Sequence, residues 1–241
     1  MIKLYQFPIS HFCEKARWAL QYKGVPYEEI NVMPGQHVSV IKKIAPKSHV
    51  PVLVDDDKVI QDSAQILDYL DEKYPEKSLT PVNPGQKAAA IEWERYLNGE
   101  FGIHVRRYCY HWMLKSPSIT IPLLAHKGPW YGKIMLRLMY PKLEKLMRKG
   151  MNINEETAAE SRQHILAALD RVASQLDKQA YLVGESFSRA DLTAAALLAP
   201  LCSPAKYPIP EAKEVPAPIE ELKQEIQPRV QWLYRWYDQY R

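Results

Sequence analysis

Three short stretches of this 241-residue chain carry residues suited to holding a small polar ligand. The first is Ser10-His11-Phe12-Cys13, which follows an apolar run at 2–7. A hydroxyl where a strand hands over to a helix lies beside unpaired backbone N–H groups and the positive end of the helix dipole. Ser10 can there donate a hydrogen bond to a bound thiolate and lower the thiol's pKa, or simply cap the helix. The second stretch is Ser48-His49-Val50-Pro51-Val52. A proline that opens a strand gives up no ladder bond. A cis Val50–Pro51 bond would turn the Val50 N–H and C=O toward a peptide ligand, and a trans bond would be an ordinary strand start. The third is Gln61-Asp62-Ser63, ahead of a helical pattern. Helix N–H groups take a carboxylate and Asp62 takes an ammonium, so the pair fits the zwitterionic end of an amino acid. A helix cap at Ser63 is the plainer reading of the same residues.

Cys13 is a fourth candidate. A thiol in a first helical turn has a depressed pKa, unless it is a half-buried spectator. The other cysteines, Cys109 and Cys202, stand in apolar helical patterns and read as inert buried thiols. Three widely spaced cysteines make neither a disulfide framework nor a zinc pattern, so no metal is expected.

The elements that must position these residues come in two blocks. Strands are expected at 2–7 and 27–32, with a helix over 11–23 between them. A short helix follows Pro34-Gly35. Residues 52–54 and 59–60 flank Asp55-Asp56-Asp57 as a hairpin, and 62–73 is again helical. The order βαβαββα implies a mixed sheet with helices packed on it. Pro81, Asn83, Pro84 and Gly85 then read as a linker, after which the strand signals stop. Helical patterns cover 86–115, 131–149, 156–179, 188–201, 219–227 and 228–240, with a proline-punctuated loop at Pro117, Pro122 and Pro129. The chain therefore reads as two domains: 1–78, α/β, and 86–241, all-helical.

Composition sets the outer limits. The apolar fraction of 46% and charged fraction of 25% are those of a globular chain rather than a disordered one. No apolar run is long enough to span a bilayer, so no integral membrane association is expected. The N-terminus shows no apolar leader, and the expected location is the cytoplasm. Net charge is +4, with ten Lys/Arg against one acid, Glu144, in 101–150. That excess reads as a solvated helix face, and no nucleic-acid motif accompanies it.

Taken in order, Ser10, Val50-Pro51 and Asp62-Ser63 resemble the glutathione site of cytosolic glutathione transferases. Phe187-Ser188-Arg189-Ala190-Asp191-Leu192 resembles that family's helix-capping signature, with Ser188 and Asp191 placed as a capping box. The resemblance implies a thioredoxin-like N-terminal domain, an all-helical C-terminal domain and a homodimer. It makes glutathione the co-substrate. Asp62, Ser63 and Gln61 would take its γ-glutamyl end and Val50, beside Pro51, its cysteinyl backbone. His49, with Gln36, His37 or Lys47, would take its glycyl carboxylate, and Ser10 its sulfur. Three positions depart from the common pattern: His11 stands where Pro is frequent, His49 where Lys is frequent, and Asp62 where Glu is commoner. Ser10-His11-Phe12-Cys13 also resembles a glutaredoxin CPFC motif with its first cysteine replaced.

The second substrate, a small hydrophobic electrophile or hydroperoxide, is expected between Phe12 and the first long helix of the second domain. Tyr108, His111 and Trp112 are the candidate pocket residues there. Two other functions remain open at this point: a thiol–disulfide oxidoreductase working through Cys13, and a non-catalytic glutathione-binding module that uses the basic 101–150 stretch as its contact surface.

Overall fold

A computed structural model describes residues 1–209 and 214–241. Four strands, β1 (Ile2–Gln6), β2 (Tyr27–Asn31), β3 (Val52–Asp55) and β4 (Lys58–Gln61), form one sheet in the order β2-β1-β3-β4. β1 runs parallel to β2 and antiparallel to β3, and β3 and β4 form the hairpin. Asp56, at φ 53, makes its turn. Ile2, Leu4 and Gln6 of β1 are buried, which is the period-two signature of a central strand. Helices α1 (His11–Tyr22), α2 (His37–Ile41) and α3 (Ser63–Lys73) complete the α/β half.

From residue 84 onward the described residues are helical or irregular: α4 (Pro84–Tyr96), α5 (Ile103–Met113), α6 (Pro117–Leu124), α7 (Gly132–Gly150), α8 (Glu155–Leu176), α9 (Arg189–Cys202), α10 (Ala217–Ile226) and α11 (Gln231–Tyr240). The expected loop around Pro117 and Pro122 is a helix instead. Pro117 occupies its first turn, where a missing N–H costs nothing. The expected single helix over 86–115 is also corrected. A π-helical turn at Leu97–Gly102 splits it into α4 and α5. Gly102 leaves room there for two neighbours: a Cβ on it would meet Phe12 Cζ and Leu197 Cδ1, each at 2.9 Å.

The two halves share a core. α9 is apolar and buried along almost its whole length, and α1 packs against it. Ser188 and Asp191 form the capping box that starts α9, with Ser188 N–H donating to Asp191 Oδ2 at 2.9 Å. α1 is more enclosed than its amphipathic pattern suggests. Glu14, Lys15 and Arg17 are all buried on it, and each is paired. Arg17 Nε donates to Glu14 Oε2 at 2.7 Å, and Arg241 Nε donates to Glu14 Oε1 at 2.8 Å. Lys15 Nζ donates to Glu94 Oε1 at 2.7 Å and to Asn98 Oδ1, in the π turn, at 3.1 Å.

Glu94 also accepts from Arg189 Nε at 2.7 Å. Arg189 reaches Asp68 Oδ1 (2.5 Å), Thr80 Oγ1 (3.0 Å) and the Ala64 carbonyl (3.3 Å). One carboxylate thus joins α1 and α9, and through Arg189 reaches the first turn of α3. Burial alone would raise the Glu94 carboxyl, but the Lys15 and Arg189 charges outweigh it and hold the group below the usual range. A carboxylate held low when folded contributes stability that is complete above its unfolded pKa and is lost as pH falls through the folded value. Glu94→Ala should cost about 3–5 kcal/mol at neutral pH, because two buried cations lose their partner. In urea unfolding, that difference should shrink below about pH 4.3, the ordinary Glu value. A loss under about 1 kcal/mol at pH 7 would mean that Glu94 does not brace the halves.

Candidate active site

Ser10 closes the turn after β1. Its N–H donates to the Phe7 carbonyl at 3.0 Å, and its Oγ accepts from Cys13 N–H at 3.3 Å. Capping uses one lone pair of the hydroxyl, and the hydroxyl also reaches the Cys13 thiol. His11 is buried. Burial first, and the nearby Arg106 charge second, push its pKa down to about 3, so the ring stays neutral. Cys13 has no exposed surface. Burial pushes its thiol up, against smaller pulls from Arg17 and Ser10. The expected helix-terminus effect on Cys13 therefore loses to desolvation. Burial pushes Cys109 and Cys202 up to about 12.

The Val50–Pro51 bond is cis. Sheet pairing of β3 begins at Val52, so the Val50 N–H and C=O lie outside the ladder. Gln61 has a different role from the one expected for it. Its Nε2 donates to the carbonyls of Lys47 and His49, both at 2.8 Å, and its Oε1 accepts from Lys47 N–H at 3.2 Å. Gln61 thus fixes the loop that presents His49 and Val50. Asp62 N–H donates to the Pro51 carbonyl at 3.2 Å, which sets Asp62 and Ser63 at the end of the same loop. The cap of α3 is Asp62, not Ser63: its Oδ1 accepts from Ala64 N–H at 2.8 Å. Ser63 is the first helical residue, and its N–H has no intrahelical partner. Asp62 holds φ 94, a backbone region that side-chain-bearing residues rarely adopt and that clusters at functional sites.

A cavity of about 640 Å³ opens beside this turn. Ser10, Phe12, His37, His49 and Val50 line it. His37 is held by Gly35 N–H, which donates to its Nδ1 at 3.1 Å, and by edge contact with Phe7 at 4.9 Å. Gln36 does not line the cavity; its side chain turns to Met135 Sδ at 3.3 Å. From the polar end the space continues between α5, α6 and α7 over Val105, Met113, Ile119, Leu123 and Leu143.

Tyr108, His111 and Trp112 do not face this space. Tyr108 is buried with its hydroxyl on the Pro218 carbonyl at 2.8 Å, and His111 is buried against Trp112. Arg106, Cys109, Tyr110 and Met113 line the cavity instead. The sequence carries aromatic residues on both faces of α5, so their spacing did not mark which face meets the cavity.

A four-stranded sheet with its first helix capped by a hydroxyl, a cis-proline loop beside it and a helical second half define a thioredoxin-like two-domain protein. Residues 4–78 match the glutathione S-transferase N-terminal domain, and residues 131–217 match the glutathione S-transferase C-terminal domain. Protein LigF of Sphingobium sp. strain SYK-6 is 28% identical over 200 residues, 79% of this chain and 75% of LigF. The crystal structure described as β-etherase LigF is 25% identical with a TM-score of 0.62, covering 97% of this chain and 98% of LigF. Glutathione S-transferase Z1 of Arabidopsis thaliana is 49% identical over 90 residues, 36% of this chain and 41% of that relative. That match therefore spans well under half of the plant protein. The fold is also shared with a glutathione S-transferase of Methylobacterium radiotolerans in complex with glutathione sulfonate, at 19% identity and a TM-score of 0.59, over 97% of this chain and 92% of that one. The chain belongs to the glutathione S-transferase family, and glutathione is the co-substrate of that family.

The buried thiols make a direct prediction. At pH 7.5 the native protein should leave Cys13 unmodified by iodoacetamide over an hour, and denaturation should expose it. Labelling of native Cys13 within minutes, read by peptide mass spectrometry, would restore the oxidoreductase reading.

Proposed function

We propose that this protein is a glutathione transferase in which the Ser10 hydroxyl stabilises the glutathione thiolate for attack on a hydrophobic electrophile or hydroperoxide. The observation that carries it is the Ser10 hydroxyl on the wall of a cavity shared with Val50, His49 and an apolar chamber. In this reading Asp62 and Ser63 take the γ-glutamyl end of glutathione. Val50 pairs with the cysteinyl backbone, and His49 with His37 takes the glycyl carboxylate. The thiolate forms a bond to the electrophilic carbon, and the leaving group departs with its electron pair. The enzyme contributes proximity and a donor aimed at sulfur. The relative named β-etherase supports an ether as one such electrophile, with an oxygen leaving group. Phe12, Ile119 and Leu123 supply the apolar contacts for it.

Among the described residues no helix is long and apolar enough to cross a membrane. We place the protein in the cytoplasm as a homodimer, on family analogy. Light scattering at micromolar concentration should give twice the chain mass; a single species of 27.9 kDa would refute the dimer.

Calorimetry should show glutathione binding between micromolar and millimolar, about −8 to −4 kcal/mol. Replacing Asp62 and Ser63 together by Ala should remove most of it. Ser10→Ala should raise the pKa of the bound thiol and lower conjugation of an aromatic electrophile about ten- to a thousand-fold. Cys13→Ser should change conjugation little. If Cys13→Ser loses activity while Ser10→Ala keeps it, the roles are reversed and the enzyme is an oxidoreductase.

A further inference from the structure

The cavity wall contains a charge that thiol activation leaves unused. Arg106, on α5, is largely buried, and among the described residues it forms no hydrogen bond and no ion pair; its Nε is closed off from water without a partner. Among the described residues, four other cations with buried side chains are each matched by an acid. Lys15 and Arg189 face Glu94, Arg17 faces Glu14, and Lys23 faces Asp71. Arg106 lies over the face of the Phe12 ring, 5.8 Å from its guanidinium carbon. An ion in that position is costly, and an anion brought to it recovers a charge-assisted, bidentate contact.

The surroundings select for an anion carried by an apolar body. Tyr110, one turn along α5, also lines the cavity, and burial pushes its phenol up to about 12, so it remains a donor. His11 is neutral. The acid on the cavity wall, Glu214, is solvent-exposed. Val105, Cys109 and Met113 of the same helix line the cavity with it.

We propose that the second substrate is an aromatic electrophile bearing a carboxylate or an equivalent anion, bound by Arg106 with Tyr110 donating beside it. The proposal rests on the transferase reading for the word "substrate", but the anion site itself is testable without turnover. Calorimetry on the whole protein would compare 3-nitrobenzoate with its neutral isostere 3-nitrobenzamide. The benzoate should bind about ten-fold tighter or better. Arg106→Met should bring the two ligands to within about three-fold of each other, and Arg106→Lys should restore part of the preference. With glutathione present, 4-chloro-3-nitrobenzoate should be conjugated in preference to 4-chloro-3-nitrobenzamide, with the same response to the two variants. Equal binding by the parent protein, binding of neither ligand, or a preference that survives Arg106→Met overturns the proposal. So does a rise in the pKa of bound glutathione in Arg106→Met with the benzoate preference intact, since the charge would then serve the sulfur. Failure to bind or turn over glutathione, with the benzoate preference present and Arg106-dependent, would count against the transferase reading alone.

Discussion

Glu94 accepts from two cations that belong to different layers of the molecule, and the candidate site is built at the far ends of both. Lys15 comes from α1, the helix whose first turn is capped by Ser10. Arg189 comes from α9 and reaches the first turn of α3, where Asp62 and Ser63 stand. The sulfur end and the γ-glutamyl end assigned to glutathione are therefore braced through one buried carboxylate of the helical half. Such a pair adds little over well-packed apolar residues in net stability, because taking the charges out of water is costly. Its directional hydrogen bonds do what apolar packing does less well: they hold α1, α3 and α9 at fixed relative positions.

The same economy of charge runs through α1. A helix enclosed on all sides has no solvent face for its polar residues, so Glu14, Lys15 and Arg17 each need an inward partner. They find them in Arg241, Glu94 and Gln6, in three different parts of the chain. Against this background the guanidinium of Arg106, without an acid partner among the described residues, is an exception, and it stands in the wall of the cavity beside Ser10.

Much of the α/β half was legible from local signals. Period-two and helical patterns placed the strands and α1 to within a residue or two, and the turn at Asp56 marked the hairpin. The Ser188–Asp191 box was readable because both partners lie in one turn. Features set by distant parts of the chain were not. The pattern of α1 looked amphipathic because two of its buried charges, Glu14 and Lys15, find partners more than seventy positions away. Gln61 looked like a ligand contact because nothing local reveals that its amide is spent on the backbone of Lys47 and His49. The two faces of α5 could not be told apart, since both carry aromatic residues and the approach of Phe12 and Leu197 to Gly102 joins distant parts of the chain.

The π turn at Leu97–Gly102 makes the cavity wall tolerant of one particular change in chain length. Each residue on an α-helix advances the face by about 100°. A π turn holds one residue more than the α turn it replaces, so removing a single residue between Leu97 and Gly102 would let α4 and α5 run as one continuous helix with the later residues facing as they do now. Arg106 and Tyr110 would stay on the chamber wall. Straightening the turn without shortening the chain would instead roll α5 by that angle and carry both residues off the wall. The lining of the acceptor chamber is thus set by the shape of one turn together with the number of residues in it, with the sheet, the cis-proline loop and Ser10 untouched.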